Sequence, residues 1–260
     1  MTDIDAKDAQ LDAGRMTIWE HLTELRDRVI KVAATVALGT VVAWILYERL
    51  LDFLLRPYCN LRIAEQQDCS LFVTEPLQAF SLRIEVSVYG AVVLAMPVIL
   101  WQLWRFVTPG LYAHEKRYAI PFVATALILF AMGASIAYLT LNPALEFLTN
   151  VGGKDFKEIF SPDSYIKLIA FMMLAFGAGF EFPVLLVGLQ MVGILSPRRL
   201  HQFRRQAMVA IVITAAVITP SGDPISMLAL ALPMYLFYEI SILIGWIFTR
   251  RRARRESADE

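Results

Sequence analysis

Residues 20–30 read EHLTELRDRVI, and six of the eleven can carry charge. Glu20, Glu24 and Arg28 fall on one helical face, with Glu24 and Arg28 at the i,i+4 spacing of an ion pair. Ile18, Leu22, Leu25 and Val29 form an apolar stripe on another face. By spacing alone these residues read as a solvated helix with an interfacial foot, each such ion pair worth a few tenths of a kcal/mol. A second charged cluster, AHEKRY at 113–118, follows the helix-breaking TPG at 108–110. Its Glu115 is an acid that favours the start of the next helix through the dipole.

Glu181 is a different case. It sits in AFGAGFEFPV, deep inside an apolar run, where a carboxylate costs about 2.5–3.5 kcal/mol and marks a pairing or functional site. There it is expected as the neutral acid. Gly177, Gly179 and Pro183 around it allow a bend or the close approach of a partner helix. His21, His114 and His201 lie far apart, and the two cysteines, Cys59 and Cys69, form no CxxC pair, so no metal or other cofactor is expected. No HExxH or GxSxG motif occurs, which speaks against an enzyme.

These groups are set between long greasy segments. Of 260 residues 57% are hydrophobic, and charge is confined to a few short intervals, the pattern of a membrane protein. Apolar stretches long enough to cross a hydrocarbon core of ~30 Å cover about 29–47, 86–104, 119–141 and 168–193. A fifth covers only about 207–219, and a sixth runs over 225–248 with Pro233 and Glu239 inside it. PSGDP at 220–224 separates the last two as a tight turn. The expected architecture is an all-α polytopic membrane protein with six transmembrane helices, spans five and six being short. A tail over 1–16 is expected to be disordered, 17–248 to form one membrane domain, and 249–260 to be a basic then acidic tail.

With the N-terminus inside, 17 of the 24 lysines and arginines flank the spans on the inner side and seven on the outer. Cationic loops stay in the cytoplasm, so both termini are expected there. Cys59 and Cys69 then share the first external loop, in an oxidising compartment where a disulfide persists. Two unpaired thiols remain the alternative. The neutral net charge and the lack of a basic patch interleaved with aromatics argue against nucleic acid as a partner.

Several of these segments recur together in one known family. HLTELRDRV, PVILWQLWRFVTPGLYAHEKR, FEFPV, SPRRL, ITPSGDP and LPMYLFYEI, in this order over about 17–245, resemble TatC, the polytopic core of the twin-arginine protein translocase. The resemblance implies a non-enzymatic receptor in the cytoplasmic (inner) membrane that binds twin-arginine signal peptides of already folded substrates. By match of motif positions, Glu24 and Glu115 would receive the two arginines, with Arg26, Pro57 and Phe106 shaping the site or the fold. Asp223 matches the acid of the last external turn. Glu181 matches an intramembrane acid beside which single-span subunits of the TatA/TatB type would dock, and self-association in a larger complex is implied. Met227 stands where some members carry glutamine, which leaves Thr219 as the polar candidate there. The competing class is a proton-coupled secondary transporter using Glu181. Such transporters show internal repeats, and the two halves of this chain have no similarity.

Overall fold

In a computed structural model the described residues, 18–64, 75–107, 119–152, 161–191, 193–219 and 222–256, are almost entirely helical. Helices α1 (Ile18–Ile45), α2 (Tyr47–Ala64), α3 (Gln78–Val107), α4 (Ala119–Gly152), α5 (Pro162–Met191), α6 (Pro197–Gln202), α7 (Arg204–Ile218) and α8 (Pro224–Glu256) follow in that order. The tail over 1–16, Glu115, Cys69, Pro220 with Ser221, and the last residues of the C-terminal tail lie outside the described residues.

Helix α5 is the hub. Ile166, Ile169, Met172, Phe176 and Phe180, three or four residues apart, are all buried and give it a continuous packed stripe. Against that stripe lie Ala137, Leu141 and Leu145 of α4 and, at i,i+4 spacing, Leu230, Met234, Tyr238 and Ile242 of α8. Helices α4 and α5 approach very closely: a Cβ added at Gly133 would come within 2.6 Å of the Phe176 carbonyl oxygen. Small residues permit such backbone proximity, and dispersion contact then holds the helices where water supplies no drive. Helix α1 packs chiefly on α3 and leaves most of its surface outward.

One expectation about the spans needs correction. Among the described residues five helices are long and apolar enough to cross a membrane: α1, α3, α4, α5 and most of α8. The remaining expected span, α7, has 15 residues, about 22 Å of helix, short of the ~30 Å core. The last segment, by contrast, is not short. Helix α8 runs unbroken for 33 residues, through Pro233 and on into the arginine cluster. In an apolar setting the other backbone hydrogen bonds have no water to exchange with, so one missing N–H does not end the helix. Glu239 of α8 is held by Arg204 at the start of α7, 2.5 Å away, which fastens the short helix to the long one.

The first external loop, expected around Cys59, contains a helix, α2, with Pro57 inside it. Proline removes the N–H that would bond the carbonyl four residues back, here Phe53. The hydroxyl of Tyr138, on α4, donates to that same carbonyl at 3.0 Å, and the hydroxyl of Tyr165, on α5, donates to the next one, Leu54, at 3.0 Å. The helix is thus completed by side chains more than 80 residues away. Tyr138→Phe should lower the melting temperature in detergent by the equivalent of about 1–2 kcal/mol. In a Pro57→Ala background, where the N–H returns, the same change should cost much less. Equal losses in both backgrounds would show that the hydroxyl does not compensate the proline.

At the other turn, Asp223 is fully buried and accepts from the Ser226 backbone N–H at 2.6 Å, capping α8 ahead of Pro224 at its first position. Gly222 precedes it with φ +60°, a conformation that suits glycine at a chain reversal.

Candidate functional site

The charged opening stretch is helical from Ile18 onward, so the doorstep and the first span form one rod. Near its start Glu24 and Arg28 pair as their spacing predicts. Arg28 is the more buried of the two, its side chain 11% exposed against 27% for Glu24. Arg28 also donates through Nη1 to the carbonyl oxygen of Gln102, 2.9 Å away near the end of α3, and lies 5.9 Å from the centre of the Phe106 ring. One guanidinium therefore ties the start of α1 to the end of α3. Arg26 faces elsewhere, exposed and paired with Asp27 at 3.1 Å.

Beside this pair opens a groove of about 700 Å³, lined by Trp19, Thr23, Glu24, Asp27, Arg28, Lys31, Gln102 and Arg105. Chemically it is a mixed-charge trough of two carboxylates, Glu24 and Asp27, and three cations, Arg28, Lys31 and Arg105, with Arg28 already paired to Glu24. The structure brings Glu24 and Phe106 to this place, each in contact with Arg28; it does not bring Arg26 into the trough lining. Glu115 lies outside the described residues. Sequence reasoning noted the Glu24–Arg28 spacing but missed Gln102, because a backbone carbonyl leaves no trace in residue type.

A second cavity, apolar and about 240 Å³, lies between α3, α4 and α5. Leu100, Trp104, Phe122, Val123 and Val184 line it, and Glu181 is the only ionisable residue in the lining. The rings of Trp104 and Phe122 stack with centroids 3.6 Å apart. Gly188 clears room for them, since a Cβ there would lie 3.3 Å from Trp104 and 3.4 Å from Phe122. Oε1 of Glu181 is buried and has no hydrogen-bond partner, so the cavity offers an unsatisfied polar atom in an otherwise greasy lining. Thr219, also a sequence candidate, is buried, and its hydroxyl donates to the Ala215 carbonyl at 2.8 Å. Cys59 is disulfide-bonded, and the only other cysteine of the chain is Cys69.

A family model described as Sec-independent protein translocase protein (TatC) matches residues 20–233. The chain belongs to the TatC family. Among curated members, the TatC of Frankia casuarinae is 42% identical over 253 residues, covering 94% of this chain and 70% of its own length. The TatC of Aquifex aeolicus is 33% identical over 246 residues, covering 94% of this chain and all of its own. A crystal structure described as the twin arginine translocase receptor TatC superposes with a TM-score of 0.73 at 34% identity, over 88% of this chain and 100% of the other. The TatC match fits the apolar helices and makes this a multi-pass membrane protein of a Sec-independent protein translocase family. It gives no support to the secondary-transporter reading of Glu181.

Proposed function

We propose that the chain is the membrane receptor that binds twin-arginine signal peptides and forms the core of a translocase for folded proteins, without enzymatic chemistry. The observation that carries this reading is Glu24, half-buried at the trough with a guanidinium already on its carboxylate. The site is thus suited to planar, bidentate cations. Glu24 and Glu115 would each take one arginine of the signal, while Arg26 and Phe106 would shape the surroundings. Lysine, a compact point charge, would fit less well. Crosslinking in native membranes tests the proposal. A signal peptide with two arginines should crosslink to residues lining the trough, and a twin-lysine version should crosslink at least tenfold less; equal yields would refute it.

By the cationic bias of the flanking segments, the protein would sit in the inner membrane with both termini cytoplasmic and six crossings, α7 being the short fifth. A helix of about 22 Å would thin the bilayer locally or be shielded by neighbouring protein. The Glu181 cavity would receive single-span subunits of the TatA/TatB type, with Thr219 acting from beneath the surface and several copies assembling together. Because Glu181 sits among apolar side chains, a neutral isostere should serve as well as the acid. Glu181→Gln should therefore co-purify with its single-span subunits like wild type, whereas Glu181→Ala should lose most of them. Equal loss from both would favour a titrating role.

Cys59 and Cys69 would bridge to each other on the external side. In the chain-entropy model a loop of this size is worth roughly 2.5–3 kcal/mol. Thiol labelling of the denatured chain should need reductant; full labelling without it would remove both the bridge and this support for the loop's sidedness.

A further inference from the structure

At the far end of α1 and α3 from the trough, Arg83 has no role in the site described above. Its guanidinium carbon stands 4.6 Å from the centre of the Trp44 ring and 5.0 Å from that of Tyr47. Its Nε is buried and has no hydrogen-bond partner. Among the described residues no carboxylate pairs with it, and the nearest acid along the helix, Glu85, is taken by Lys167 at 3.1 Å. A half-buried guanidinium that is held by aromatic faces, yet lacks an anion, is an incomplete arrangement. Aromatic contact satisfies the faces of the plane and leaves the N–H edges for an acceptor with two oxygens.

The surroundings indicate where that acceptor comes from. Arg83 lies five residues inside α3 and Trp44 one residue from the end of α1, which is the level at which tryptophan and tyrosine mark a membrane interface. Trp44 meets Phe80 edge-on with centroids 6.3 Å apart, and Phe80, Ile84, Val41 and Ile45 are all exposed apolar side chains. A cation at interfacial depth above an open greasy surface is complementary to a molecule with a phosphate head and hydrocarbon tails.

We propose that Arg83, held by Trp44 and Tyr47, binds the phosphodiester of a membrane phospholipid whose acyl chains lie along Phe80, Ile84 and the exposed end of α1. The site is separate from the signal-peptide trough and does not depend on that function.

Native mass spectrometry of the full chain released from detergent tests it with three probes: phosphatidylglycerol, diacylglycerol with the same acyl chains, and inorganic phosphate. Wild type should retain phosphatidylglycerol at least tenfold better than diacylglycerol. Arg83→Gln should lose about tenfold in phosphatidylglycerol retention, Arg83→Lys should lose less, and neither should change diacylglycerol. Trp44→Leu, which keeps the charge and removes one ring, should also weaken phosphatidylglycerol. If Arg83→Gln fails to fold, the comparison of the three probes on wild type and on Trp44→Leu still decides. Retention of phosphatidylglycerol by Arg83→Gln equal to wild type would overturn the proposal, as would equal retention of the two lipids by wild type. Inorganic phosphate that binds and displaces phosphatidylglycerol at equal concentration would overturn it in favour of a free-phosphate site.

Discussion

Replacing Glu24 or Glu115 with alanine should abolish export of folded twin-arginine substrates while the protein remains inserted and abundant. Each carboxylate is proposed to form a charge-assisted, bidentate contact with one arginine of the signal. Loss of such a partner removes about 2–3 kcal/mol, a weakening of about 30- to 150-fold in Kd. The structure explains why abundance should survive at Glu24: Arg28 keeps the Gln102 carbonyl and the Phe106 ring when the carboxylate is gone, so the tie between α1 and α3 persists. Glu24→Gln keeps the shape but offers a neutral amide, and should lose nearly as much binding as alanine. Signal-peptide affinity of the purified variants is the direct readout. Affinities for Glu24→Ala and Glu115→Ala within twofold of wild type would end this assignment of the site.

The largest expected effect on stability is at Gly133. An added Cβ there meets the Phe176 carbonyl oxygen at 2.6 Å, its carbon at 2.9 Å and the Gly177 Cα at 3.0 Å. These are backbone atoms in the middle of a helix, and no side chain can swing aside to admit the methyl. Helices α4 and α5 would have to separate, loosening the stripe from Ile166 to Phe180 that the rest of the bundle packs on. Overpacking of a well-filled core costs typically 1–3 kcal/mol, so Gly133→Ala should lose about that much and Gly133→Val more. Gly39 is the natural control. It lies on the lightly packed α1, where its added Cβ would come 3.2 Å from the Ala91 carbonyl oxygen of α3, and Gly39→Ala should cost much less. Thermal unfolding of both in one detergent gives the comparison. Equal melting temperatures would mean that the α4–α5 contact does not limit stability. Gly177→Ala should behave differently again, because the Cβ there meets the Phe130 ring, and Phe130→Leu should partly rescue it.

Much of this protein was written locally in the chain. Segregation of charge from long apolar runs is enough to specify membrane helices, because an isolated apolar segment of that length has no other stable place. The Glu24–Arg28 pair followed from helical spacing alone, and about thirteen apolar residues over 207–219 announced a helix too short to span the core. What the sequence left undecided was which side of an apolar helix faces a neighbour. In a lipid-facing rod nearly every face is greasy, so periodicity carries little information about packing, and the facing is settled by close contacts between distant residues. Thus Glu181 opening into a cavity of α3, α4 and α5, and Thr219 being buried against Ala215, were decided by tertiary packing. The same holds for α2: Pro57 removes the N–H that would bond Phe53, and the hydroxyls of Tyr138 and Tyr165, supplied across the fold, donate to the Phe53 and Leu54 carbonyls.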